Sequence, residues 1–136
     1  MKESCLTPQA VEERLQASNV QPTAQRIAIA RYVLCEADHP TAENVKSWAD
    51  KNFPKMSLAT VYNTLGILVK AGLLKKFCLP HSKEAVYDDN VSDHYHFLDE
   101  KTGEITDVDP RDVTVTPRIK GLKINEVHMF LMGTKE

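Results

Sequence analysis

Residues 57–72, SLATVYNTLGILVKAG, followed by the short runs LLKKFCL (73–79) and KEAVYD (83–88), decide the architecture of the first part of the chain. Ser57 has the side chain of a helix N-cap and Gly72 that of a C-cap, which bounds a helix between them. On a helical projection Leu58, Val61, Leu65, Leu68 and Val69 share one face; Ala59, Thr60, Asn63 and Thr64 share the other, with Tyr62 at the edge. The runs after Gly72 read as a β-hairpin joined by Pro80, His81 and Ser82.

Working upstream, three more helices are bounded by the same chemistry. Thr7 and Pro8 open a first helix with Val11 and Leu15, and to a lesser degree Ala10, on its apolar stripe. Thr23 caps a second, AQRIAIARYVLCEA, with Ile27, Ala30, Val33 and Leu34 at core spacing, ended by His39 and Pro40. Thr41 with Asn44 starts a third, stopped by Pro54, whose inner face carries Val45, Trp48 and Ala49. Short helices followed by a hairpin, the last helix faced with small polar residues, are the layout of a winged helix-turn-helix.

Charge supports a nucleic-acid-facing role for that half. Residues 1–84 hold eleven Lys and Arg against eight Asp and Glu, whereas 85–136 hold six against eleven. From Lys51 to Lys83 there are six lysines and no carboxylate, so this stretch approaches phosphates without repelling them. A small helical domain with a solvated polar face is the competing reading. No apolar run is long enough to span a membrane and the N-terminus lacks a signal-peptide pattern, so a cytoplasmic protein is expected. Cys5, Cys35 and Cys78 are scattered and form no CxxC pair, which leaves neither a disulfide framework nor a thiolate zinc site to read.

After Tyr87 the pattern changes to short β-like runs, HYHFLD (94–99), EITDVD (104–109) and LKINEVHMFLMG (122–133). The last alternates Leu122, Ile124, Val127, Met129 and Leu131 as a half-buried strand would. The expected class is α+β: a winged helix-turn-helix over 1–84 and a small α/β unit over 85–136. With so little core of its own, the second unit is expected to pair with a second copy, forming a homodimer.

In an extended strand His94 and His96 point to the same side. Two imidazoles there suit a metal, although an HxH pair is equally at home in a polar loop. Asp88 and Asp107 could add oxygen ligands, and His39, otherwise a helix-end residue, a third nitrogen. Such a nitrogen and oxygen set suits Fe(II), Mn(II), Ni(II) or Zn(II), its hard carboxylates leaning toward Fe(II) or Mn(II). One ion held by all five would tie the two units together and let metal occupancy govern DNA affinity. His81 and His128 are read as structural, the former near phosphate.

QPTAQRIAI (21–29), ADHPTAENV (37–45), MSLATVYNTLGILVKAGLL (56–74), Tyr87 with Asp88, SDHYH (92–96), GEITDVD (103–109) and GLKINEVHMFLMG (121–133) occur in this order. In that combination the chain resembles the ferric uptake regulator (Fur) family over nearly its whole length. The resemblance implies a winged-helix DNA-binding domain, a C-terminal dimerisation domain, and transcriptional repression of a palindromic operator when a divalent metal is bound. It implies a regulatory site at His39, Asp88, His94, His96 and Asp107. It also implies DNA contacts by Ala59, Thr60, Tyr62 and Asn63, with Arg26 and Lys76 on the backbone. Aspartate at 107, where ferric-uptake members tend to carry glutamate, resembles the peroxide-sensing PerR branch. There, bound Fe(II) reacts with hydrogen peroxide and a ligating histidine, here His39 or His94, takes up oxygen. Fe(II) or Mn(II) is the implied cofactor, with Zn(II) as a substitute.

Departures from the family pattern matter as well. The structural zinc of many members uses two CxxC pairs, but Asp99 and Thr102 stand at the first pair, so no structural zinc is expected. The segment between Pro110 and Gly121, a dimerisation helix in many relatives, is short and carries Pro117, so a rearranged dimer interface is expected. Val127 stands where many members have a histidine, and the one-residue offset of His128 turns it to the other face, against a further metal site there. An iron- or haem-responsive regulator without peroxide sensing is the alternative, although no Cys-Pro haem motif is present. A small non-haem iron enzyme is a third reading; a winged-helix half and five ligands leave it little room for substrate, and no enzyme activity is expected.

Overall fold

Four α-helices precede a hairpin in the computed structural model, which describes residues 6–80 and 82–136. The expectations for Cys5 and His81 lie outside the described residues. Helix α1 (Pro8–Ala17) starts where Thr7 Oγ1 accepts the Ala10 N–H at 3.1 Å, with Pro8 in the first turn. In α2 (Ala24–Arg31) Thr23 caps Arg26 at 3.2 Å, and in α3 (Ala42–Asn52) Thr41 and Asn44 cap each other's backbone reciprocally. Ser57 accepts from Thr60 N at the start of α4 (Leu58–Lys70), and Gly72, at φ 81°, turns the chain out of it. Each such cap is worth about 1 kcal/mol.

Val11, Leu15, Ile29, Ala30, Val33, Val45, Ala49, Val61, Leu65 and Leu68 form one buried core. Two sequence expectations shift here. The buried stripe of α4 is Val61, Thr64, Leu65 and Leu68, so Thr64 faces inward (2% exposed) and Leu58 outward (40%). The helix is rotated by a fraction of a turn from the purely apolar projection, which a threonine methyl tolerates in a core. In α2 the fully buried isoleucine is Ile29, with Ile27 only partly covered.

The second helix also ends differently from expectation. Tyr32–Glu36 form a π-helical turn, closed by the Ala37 N–H donating to Tyr32 O at 2.9 Å. This wider turn sets Val33, Leu34 and Cys35 all against the core, which a regular helix would not do with three consecutive residues. Trp48, expected in the core, is half-buried; it stacks on Tyr32 with centroids 4.3 Å apart and leans on Phe53.

Strands β1 (Lys75–Cys78) and β2 (Ala85–Asp88) pair antiparallel, Lys75 opposite Asp88. The sequence boundary at 84/85 assigns β2 to the second unit. Its pairing with β1 keeps it in the first, and the division falls between Val91 and Ser92.

In the second unit, Ser92–Glu136, a three-stranded sheet is ordered β4-β3-β5. Strand β3 (Tyr95–Asp99) lies at the centre, antiparallel to β4 (Ile105–Val108) and parallel to β5 (Phe130–Gly133). The expected strand from Leu122 is shorter than predicted, with pairing only over Phe130–Gly133. Alternation alone does not make a strand: β3 begins at Tyr95, and His96 already pairs with Phe130, so residues before Met129 have no ladder to join. Leu122 is accordingly 67% exposed, Ile124 and Val127 are exposed too, and His128 lies outside the strand, beside Glu126.

Asp99 and Thr102 organise the β3–β4 turn. Buried Asp99 Oδ1 accepts the N–H groups of Lys101 (2.8 Å) and Thr102 (3.3 Å), and Thr102 Oγ1 accepts from Glu104. Gly103, at φ 78°, donates back to Asp99 O.

Candidate metal centre and nucleic-acid interface

Within the first unit the chain brings together His39, which follows the π-helical turn, and Asp88, at the end of β2. The Tyr87 N–H donates to Pro40 O at 2.9 Å, clamping β2 to the loop that follows His39. Asp88 Oδ2 then lies 3.3 Å from His39 Nε2, both side chains buried, while Asp88 Oδ1 accepts the Asn90 N–H at 2.9 Å. His39 Nδ1 lies 2.7 Å from Asp38 Oδ1, and Phe77 meets the ring edge-on at 6.3 Å. The backbone at His39 has φ 47°, a left-handed conformation uncommon outside glycine.

The second unit brings the other three candidates together. His94 and His96 lie on one side, ring centroids 4.5 Å apart, as the alternation predicts. Asp107 pairs with His96 across the β3–β4 ladder, and its Oδ1 is 3.3 Å from His94 Nε2 and 3.7 Å from His96 Nε2. His94 Nδ1 lies 2.6 Å from Ser92 O. His96, between its two neighbouring strands, stacks on Phe130 at 5.2 Å. Phe130 was not identifiable from sequence as part of this site, because only the parallel pairing of β5 sets it beside His96.

The donor chemistry of these groups fits a borderline-to-hard divalent ion: three imidazoles and two carboxylates, with no thiolate among them. Imidazole suits Zn, Cu, Fe and Ni, whereas carboxylate suits the harder ions, Mn among them.

The residues expected to meet DNA all belong to the first unit. Ala59, Tyr62 and Asn63 are exposed on α4, and Gly66, one turn further along, extends the same face with open space above it. Thr60 is partly covered, its hydroxyl 3.0 Å from Ser57 Oγ, and Lys76 is exposed on β1. Arg26 Nη1 donates to Gln21 O at 2.9 Å. Tyr62 donates its phenol proton to Glu43 Oε1 at 3.0 Å, which raises the phenol above its ordinary range. Glu43, in the first turn of α3, is thus attached to the outer face of α4; nothing in the spacing of residues 43 and 62 announces that contact.

The described residues include no helix long and apolar enough to cross a membrane. Comparison with known proteins matches the Ferric uptake regulator family over residues 17–131. The "Peroxide operon regulator" of Bacillus subtilis is 38% identical over 95 residues, 70% of this chain and 65% of that protein. The "Peroxide-responsive repressor PerR" of Staphylococcus epidermidis is 37% identical over 93 residues, 68% of this chain and 61% of that protein. The matched stretch therefore spans somewhat less than two thirds of each relative. A solved structure of PerR from Streptococcus pyogenes, described as a basis for peroxide sensing and gene regulation, is similar with TM-score 0.55 and 26% identity. It covers 99% of this chain and 95% of that one.

Proposed function

The chain belongs to the ferric uptake regulator family, and from that premise we propose that it is a metal-dependent transcriptional repressor whose release from DNA is triggered by hydrogen peroxide. The observation that carries this reading is the donor set, His39 beside Asp88 and His94 with His96 around Asp107. Neither group alone supplies the four to six ligands such ions take. One Fe(II) or Mn(II), with Zn(II) as a substitute, would draw on all five residues. Aspartate rather than glutamate at 107 favours the peroxide-responsive branch, as do the names of the two relatives.

Fe(II) held by these residues would supply the redox chemistry for peroxide cleavage: the O–O bond breaks, one oxygen is inserted at a ring carbon of His39 or His94, and the other leaves as water, so that the ring gives up the two electrons the peroxide takes. The chain's own residues do the rest. Asp88 and Asp107 contribute negative charge that the ion balances, and the Asn90 and Pro40 contacts hold Asp88 in place. An oxidised imidazole is a poorer ligand, so occupancy and the DNA-competent state are lost together. Ala59, Thr60, Tyr62 and Asn63 would read bases of a palindromic operator, with Arg26 and Lys76 on phosphates. A homodimer would supply the second half-site reader.

Mass spectrometry of the Fe(II)-loaded protein before and after brief peroxide exposure, with metal analysis and operator binding on the same sample, tests the proposal. One added oxygen on the peptide containing His39 or His94, with loss of metal and DNA binding, is expected. An Fe(II)-loaded protein inert to peroxide refutes the peroxide step and leaves an iron- or haem-responsive regulator.

A further inference from the structure

Asp38 is absent from the ligand set, yet its carboxylate is in contact with one of its members. Neighbouring residues rarely face each other: their side chains diverge by about 100° on a helix and point to opposite sides of a strand. Here the chain leaves the π-helical turn through a bend, and the left-handed backbone of His39 swings its ring against the preceding side chain. The result is the 2.7 Å contact between His39 Nδ1 and Asp38 Oδ1. A residue with a Cβ persists at positive φ only when its surroundings compensate, and such positions gather at functional sites.

We infer that Asp38 is the positioning residue for His39: it accepts the Nδ1 proton at the shorter of the ring's two carboxylate contacts, and so leaves Nε2, on the side of Asp88, as the nitrogen that a metal would take. An ionised carboxylate only accepts hydrogen bonds, so the proton of this contact belongs to the imidazole. With Nδ1 protonated, Nε2 is the nitrogen available to a metal in the neutral ring, and it is the one 3.3 Å from Asp88 Oδ2. The carboxylate acceptor also makes the ring a stronger donor. His94 has the parallel arrangement with an uncharged acceptor, Nδ1 against Ser92 O and Nε2 toward Asp107. The two histidines proposed as oxidation targets thus both present Nε2, one steered by a carboxylate and one by a backbone carbonyl. The assignment rests on the reading of His39 as a ligand. Asp38 is itself exposed, so its replacement does not open the core.

The test uses the full chain, first without metal. Ring nitrogen shifts of His39, from long-range proton–nitrogen correlation on protein labelled at histidine, identify the tautomer directly. Wild type and Asp38→Asn, which keeps an acceptor oxygen, are expected to show the Nδ1-protonated form. Asp38→Ala is expected to move toward the Nε2-protonated form that free imidazoles favour. Mn(II) affinity by chelator competition should fall roughly 10- to 100-fold in Asp38→Ala and less in Asp38→Asn. An unchanged tautomer in Asp38→Ala, or Mn(II) affinity within twofold of wild type, overturns the inference. His39→Ala is the control: if it binds Mn(II) as tightly as wild type, the ligand reading fails with His39, whereas the metal-free spectra still judge the Asp38 contact on its own.

Discussion

His39 is proposed to do two things that pull against each other: it offers a nitrogen to a metal, and it holds a backbone conformation that suits glycine. Substituting it two ways separates them. His39→Ala and His39→Gly both remove the imidazole, with its contacts to Asp38 and Asp88, so those losses cancel in a comparison. What differs is the φ of 47°. A residue with a Cβ in the left-handed region carries roughly 1–2 kcal/mol of strain, and glycine does not. Glycine's greater freedom in the unfolded chain offsets roughly 0.4–1 kcal/mol of that gain. Mid-range values, about 1.5 less about 0.7, leave His39→Gly about 0.8 kcal/mol more stable than His39→Ala. With a urea slope of about 1.5 kcal/mol/M, the unfolding midpoints should differ by about 0.5 M. The single tryptophan, Trp48, stacked on Tyr32 in the first unit, provides the fluorescence probe on metal-free protein. An alanine variant as stable as the glycine one, or more so, would refute the claim that this position is strained. Neither variant should hold Mn(II) with wild-type affinity.

Tyr62→Ala and Asn63→Ala should each weaken specific operator binding by roughly 1–3 kcal/mol while leaving metal content unchanged, whereas His94→Ala should lower metal content and, through it, operator binding; fluorescence anisotropy beside metal analysis decides this, and metal loss in the first two would break the division of labour. Glu43→Gln should return the Tyr62 phenol toward its ordinary pKa near 10, because the hydrogen bond to Glu43 is the main cause of its upward shift; ultraviolet titration against Tyr62→Phe isolates the group. The same variant removes an acid from beside α4, and operator affinity should rise, most at low salt. Asp99→Ala should cost roughly 1–3 kcal/mol, by leaving the Lys101 and Thr102 N–H groups without their acceptor. Amide exchange at those two positions should accelerate, and unchanged protection would show that the turn does not depend on the carboxylate.

Much of the fold was legible because helix ends are local chemistry. Thr7, Thr23, Thr41 and Ser57 all cap as their sequence positions suggest, and the hairpin follows from two short runs around a proline turn. What misread were features set by neighbours. Thr64 is buried and Leu58 exposed because the rotation of α4 is chosen by the packing of α2 and α3, not by its own polarity pattern. The alternation from Leu122 to Val127 promised a strand, and among the described residues no strand pairs with it.

The candidate site divides the same way. Sequence by itself determined the ligand types and the convergence of His94 with His96, since two residues apart on an extended chain is a fixed geometry. The family resemblance named His39, Asp88 and Asp107 as their companions. Only tertiary structure decided that Tyr87 clamps to Pro40 and so brings Asp88 to His39, that Phe130 backs His96, and that Glu43 holds Tyr62. It also decided that His39 turns through a left-handed bend onto Asp38. Each of these depends on a pairing register, a packing rotation or a backbone torsion chosen jointly by several elements, and no single stretch of sequence encodes such a choice.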